Sequence, residues 1–272
     1  MTQRKKLSVF CSRNLWLIII GCLLIGSSSA FSQYFGRNKI QYEDFDFEVA
    51  STDKLEIYYY ENESRISDDV VRMADLWYDK YSSLFNHRIR NKQPLIIYSN
   101  HPDFQQTNVI GGMIPQGTGG VTEGLKNRVV LPLTGVFIEN HHVIGHELIH
   151  AFQFSIMKTQ GRRTLTSNKL PLWFVEGMSE YFTLGSDDAL TSMWMRDAVL
   201  HENVPDIDEV GRSREYFPYR YGHSICAYIA AKWGDQSLID LYKTNLQTGW
   251  LRTFTEVLGR SKIWRFQQII SD

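Results

Sequence analysis

The sequence predicts an α+β fold, with a mixed β-sheet laid over one central helix and a helical C-terminal lobe behind it. Three observations predict this. Short segments of strand character are confined to residues 54–131. One long helical pattern, Ser67 to Phe85, falls between two of them. From residue 143 onward the apolar spacing is mostly helical.

The first 32 residues read as an export signal. Arg4, Lys5 and Lys6 make a basic start, and Leu15 to Ile25 is an apolar core of 11 residues. Ser27 to Gln33 supplies small residues for cleavage after Ala30 or after Ser32. The apolar core is shorter than the about 20 residues that cross a bilayer. Residues 33–272 are therefore expected as one exported domain without a stable membrane span, periplasmic or extracellular. Ile19-Ile20-Gly21-Cys22 faintly resembles a lipid-attachment box, so lipoprotein anchoring at Cys22 is the alternative; the apolar residues beyond Cys22 argue against it. Cys11 and Cys22 lie in the leader and Cys226 stands alone, which leaves no intrachain disulfide after cleavage. The chain has 29 basic and 30 acidic residues, and the leader holds four of the basic ones (Arg4, Lys5, Lys6 and Arg13). The remainder is net negative, and nothing suggests nucleic-acid binding.

Lys54 to Tyr60 alternates and reads as a strand. Ser67 to Phe85 carries Val70, Val71, Ala74, Trp77, Tyr78, Tyr81 and Phe85 at helical spacing. Pro94 to Tyr98 is a short apolar strand. Gly111 to Thr118 is glycine-rich but lacks the lysine of a phosphate loop, and reads as a mobile lip of a cleft. Gly119 to Leu131 reads as a glycine-broken strand whose edge can pair with an extended peptide, or as an ordinary hairpin. Helical patterns follow at Val143–Phe154, between Pro171 and Gly185, and at Ala189–Leu200, Ser224–Trp233, Ser237–Thr244 and Ile263–Ile270. There is no internal repeat, low-complexity tract or long linker.

The central helix carries His146-Glu147-Leu148-Ile149-His150, an H-E-x-x-H pattern. Residues four apart lie about one turn apart, so both imidazoles leave one face and can grip one metal ion. Glu147 flanks that face and can take a proton from a water at the metal without binding the ion itself. The flanks Leu148, Ile149, Ala151 and Phe152 bury this helix, and two histidines and a glutamate inside a core need a partner. One zinc ion is the expected cofactor, although the same donors also accept cobalt or manganese. The third ligand is expected downstream, at Glu176. Glu180 lies one turn on and is expected to receive a hydrogen bond from a ligating imidazole. Two carboxylates on one buried face otherwise repel each other. A donor toward the oxyanion is expected from Tyr219 or Tyr221, with His223 also in range.

H-E-x-x-H followed by Trp173-Phe174-Val175-Glu176-Gly177-Met178-Ser179-Glu180-Tyr181 resembles the gluzincin metallopeptidases, the group that includes thermolysin and the zinc aminopeptidases. More narrowly it resembles the peptidase-MA-like proteins of bacterial envelopes. Residues 34–47, and Gly120 to Gly124 leading to Arg128–Pro132, add to this likeness. Many such proteins continue into a β-propeller, whereas this sequence ends at Asp272. The resemblance implies a zincin-like fold, His146, His150 and Glu176 as zinc ligands, Glu147 as general base and Glu180 behind a ligand. It implies hydrolysis of peptide or protein substrates, in an endopeptidase or an aminopeptidase mode. Glu123 beside the presumed edge strand is a candidate anchor for a substrate amine. The alternative is a zinc-stabilised envelope factor for protein binding or quality control, with little or no proteolytic turnover. Oligomeric state is not legible in the sequence.

Overall fold

Alternating apolar residues build a five-stranded sheet in the computed structural model, which describes residues 42–60, 64–161, 170–211, 215–248 and 250–259. The strands are β1 (Glu48–Ser51), β2 (Leu55–Tyr59), β3 (Gln93–Tyr98), β4 (Val121–Glu123) and β5 (Arg128–Pro132). Their order is β1-β2-β3-β5-β4. The inner three run parallel, while β1 and β4 pair antiparallel at the two edges. The sheet is thus mixed, as expected. The glycine-broken strand resolves into two, β4 and β5, joined by a turn in which Asn127 takes φ 55°, a conformation asparagine tolerates.

Helix α1 (Ser64–Phe85) buries Val70, Ala74, Trp77, Tyr78, Tyr81 and Phe85. After the short α2 (His101–Phe104) comes α3 (Phe137–Thr159), which is buried at every position from Ile144 to Met157. A helix apolar all round belongs inside a core, and α3 packs between α1 and the β4–β5 rim of the sheet. The helical C-terminal part follows: α4 (Leu172–Leu184), α5 (Ala189–Leu200), α6 (Ile207–Val210), α7 (Pro218–Trp233), α8 (Asp235–Thr248) and α9 (Trp250–Leu258). The bounds of α4 match the sequence reading: Pro171 caps its start and Gly185, at φ 85°, ends it.

Several elements differ from expectation. Helix α7 begins at Pro218 rather than Ser224, with proline in its first turn. Its opening turn carries Tyr219 and Arg220 toward a cleft, so it lacks the apolar spacing that marks a core helix. Helix α8 extends beyond Ser237–Thr244 at both ends, and β1 and α9 were not foreseen. The leader 1–32, residues 34–41 of the opening stretch and the Ile263–Ile270 helix lie outside the described residues. Among the described residues no helix is long and apolar enough to cross a membrane.

Candidate metal centre

His146 and His150 leave α3 one turn apart, and Glu176 meets them from α4. His146 Nε2, His150 Nε2 and Glu176 Oε2 form a triangle with all three edges 3.2 Å. All three residues are buried or nearly so. Tetrahedral zinc with bonds of about 2.0–2.1 Å spaces its ligand atoms by about 3.3–3.4 Å, so the triangle has the right size for one such ion.

Counting hydrogens shows that the donor set fits a cation. His150 Nδ1 lies 2.8 Å from Gln153 Oε1, and Gln153 Nε2 donates to the Val175 carbonyl, which fixes the amide's orientation. His150 therefore carries its proton on Nδ1. His146 Nδ1 lies 2.9 Å from Glu180 Oε1, and a carboxylate at that distance favours the proton on that nitrogen. Both Nε2 lone pairs then face each other and the Glu176 carboxylate. Three lone pairs converging in a buried triangle repel unless a positive charge sits among them. Burial opposes charge on His146, but Glu176 and Glu180 outweigh it and raise the imidazole to about 10. A field that would hold a proton there also attracts a metal cation. Burial likewise pushes Glu176 upward, yet His150 and His146 hold it well below the usual carboxylate range.

Behind the triangle, Glu180 is surrounded by basic groups. Its Oε1 lies 2.9 Å from His146 Nδ1 and 3.2 Å from His142 Nε2; its Oε2 accepts from Arg220 Nη1 at 3.2 Å. Burial works against its ionisation, but His142 and His146 hold it well below its usual range. Arg220 Nη1 also reaches Asp188 Oδ2 at 3.1 Å, and Asp188 caps α5 by accepting from the Thr191 backbone N–H. Glu180 therefore lies beside the His146 imidazole. It sits in a chain, Asp188–Arg220–Glu180–His146, that the sequence reading did not foresee beyond Glu180. His142 is one turn ahead of His146 and Gln153 three residues beyond His150, so helical spacing was the signal available for both.

Glu147 is buried but stays outside the triangle, with Thr122 Oγ1 2.6 Å from its Oε2. Above it opens a cleft of about 400 Å³ between the Gly117–Gly120 loop, α3 and the start of α7. Of the glycine-rich segment Gly111–Thr118, Gly117 and Thr118 border the cleft.

The two tyrosines separate. The Tyr219 ring stacks on His146 at 5.8 Å and 20°. Burial, then the Glu176 and Glu147 carboxylates, push its phenol upward, so it stays a neutral donor beside the triangle. Tyr221 instead packs into the core against Tyr216 at 5.4 Å. His223 is also occupied elsewhere: Nδ1 pairs with Thr191 Oγ1 at 2.8 Å and Nε2 with the Gly185 carbonyl at 2.7 Å. Tyr219 alone of the three lines the cleft. Glu123 is held by Arg128 at the sheet rim, so its carboxylate is already neutralised.

The chain matches no family model and no curated protein.

Proposed function

We propose that this chain is an exported zinc metallopeptidase of zincin-like fold, gluzincin in its ligand pattern, with residues 1–32 as leader and 33–272 as the peptidase domain. The observation that carries the reading is the 3.2 Å triangle of His146, His150 and Glu176, with Glu147 beside it and outside the ligand set. A structural zinc site is closed by four protein ligands, whereas three ligands at a cleft leave a position for water and substrate. When bound, the ion supplies Lewis acidity, which acidifies a water and polarises a carbonyl.

The chain's own residues divide the remaining work. Glu147 takes the proton of the attacking water and returns it to the leaving amine. Glu180 holds the His146 ring in its Nδ1–H tautomer, and Gln153 does the same for His150. Arg220 holds Glu180 in place through a hydrogen bond. Tyr219 donates its phenol hydrogen to the oxygen that gains charge as the carbonyl is attacked. Among the described residues no strand pairs with β4 on the side away from β5, so an extended peptide or unfolded protein is the substrate form that suits the site.

Metal content and hydrolysis of an unstructured protein, measured together on wild type and Glu147→Gln, test the reading. One zinc in both and activity only in wild type is expected. Zinc in both and activity in neither would favour the binding or quality-control factor. No metal in either would overturn the proposal.

A further inference from the structure

The general base proposed above has no ion pair among the described residues to hold it. Among the described residues, the side chain that hydrogen-bonds the Glu147 carboxylate is Thr122 on β4, through Oγ1 to Oε2 at 2.6 Å. We propose that Thr122, with Gly120 two residues before it, is a positioning residue for Glu147. The inference rests on the peptidase reading, because it assigns the carboxylate's placement a role in turnover.

The geometry is that of a clamp. Successive strand residues point to opposite faces, and Thr122 turns its hydroxyl onto α3. That hydroxyl has one hydrogen and two oxygens within reach, Glu147 Oε2 at 2.6 Å and the Glu147 backbone carbonyl at 2.9 Å. Within a helix the backbone carbonyl already receives the N–H one turn on. The carboxylate is nearer and charged, so it takes the hydrogen. On the second side the chain comes so close at Gly120 that a Cβ there would lie 2.9 Å from Glu147 Cγ and 3.1 Å from Oε1. A side chain there would push the carboxylate from this position. The hydrogen bond fixes one oxygen and the glycine backbone bounds the other.

Such a clamp has a purpose. A glutamate side chain on a helix has three rotatable bonds, and a base that swings away from the water is idle for that time. The carboxylate must also stay out of the ligand triangle, where it would compete with Glu176. A hydroxyl does this without a positive charge, and a positive charge beside the triangle would repel a cation. β4 is also the edge strand that an extended substrate would pair with, so one short strand would align both the scissile bond and the base.

The test uses Thr122→Val, which keeps the shape but lacks the hydroxyl, Thr122→Ser, which keeps the hydroxyl, and Thr122→Val combined with Glu147→Gln. The expected result for Thr122→Val is unchanged zinc content, unchanged KM and a kcat lower by about tenfold to a hundredfold, the scale of a misplaced catalytic group. Thr122→Ser is expected to recover most of that loss, and Thr122→Val to add no further loss to Glu147→Gln. Crystal structures of the two single variants read the placement directly: the carboxylate moves in Thr122→Val and keeps its place in Thr122→Ser. An unmoved carboxylate in Thr122→Val overturns the proposal, as does an unchanged kcat or an equal loss in the Glu147→Gln background. If wild type holds zinc and hydrolyses nothing, the peptidase reading and the catalytic role of the clamp fall together. The crystal structures then still decide whether Thr122 holds the carboxylate.

Discussion

Gly177 and Gly222 meet where α4 crosses α7. A Cβ on Gly177 would lie 2.2 Å from the Gly222 carbonyl carbon, and one on Gly222 would lie 2.0 Å from the Trp173 carbonyl oxygen. The two helices are in backbone contact there, and the crossing sets Glu176 and Glu180 of α4 beside Tyr219 and Arg220 of α7. Neither backbone can retreat as a flexible side chain could. Gly177→Ala and Gly222→Ala are each expected to cost at least about 3 kcal/mol, the upper end of ordinary overpacking. Gly111→Ala meets nothing within 4 Å and is the control. Urea unfolding of the three variants checks this; a loss below about 1 kcal/mol at both crossing glycines would mean the helices can part.

Tyr219 and Tyr221 are two residues apart, yet one faces the metal triangle and the other the core. Tyr219→Phe is expected to lower kcat about a hundredfold, the scale of one lost oxyanion donor, with zinc content unchanged. Tyr221→Phe is expected to leave turnover near wild type. Steady-state kinetics on one unstructured substrate separates the two. Equal rates for both variants would remove Tyr219 from the reaction.

Glu176 supplies one of the three atoms of the triangle. Glu176→Ala should bring zinc from one equivalent to well below that at equal free metal, measured by atomic absorption after dialysis. A ligand present at a thousand times its dissociation constant stabilises a fold by about 4 kcal/mol. A chelator should therefore lower the Tm of wild type and leave that of Glu176→Ala almost unmoved. Full zinc content in the variant would place the third ligand elsewhere.

Asp188 couples the cap of α5 to the site through Arg220. Burial alone would raise its carboxyl, but the hydrogen bonds from Thr191 and then Arg220 hold it below its ordinary value of 3.8. A carboxyl depressed by folding contributes stability that is complete above its unfolded value and declines as pH falls through its folded value. Asp188→Ala is expected to cost about 1 kcal/mol at pH 7, as a lost N-cap does. That difference should shrink as pH falls below about 4. Thermal unfolding of both proteins between pH 3 and pH 7 tests the sign; a difference that grows toward acid would refute it.

The α+β class, α1, α3, α4 and α5 and the pairing of His146, Glu147 and His150 were legible in the sequence. They rest on local periodicity and on caps such as Pro171 and Gly185, which need no knowledge of distant residues. The spacing from Glu176 to Glu180 was likewise enough to put both on one face. The β4–β5 hairpin was ambiguous because glycine permits both a broken strand and a turn. The start of α7 was missed because residues that line a cleft lose the apolar period of a core helix.

By itself, then, the sequence determined which helix faces carry imidazoles and carboxylates, since a helix's repeat is local. Only the tertiary structure decided that Glu176 closes a 3.2 Å triangle with both histidines, that Tyr219 rather than Tyr221 or His223 reaches it, and that His142, Arg220 and Thr122 belong to its surroundings. Those relations depend on how α3, α4, α7 and β4 cross. A crossing is set by close packing at points such as Gly177 and Gly222, which bring together residues far apart in the chain and leave no periodic trace along it.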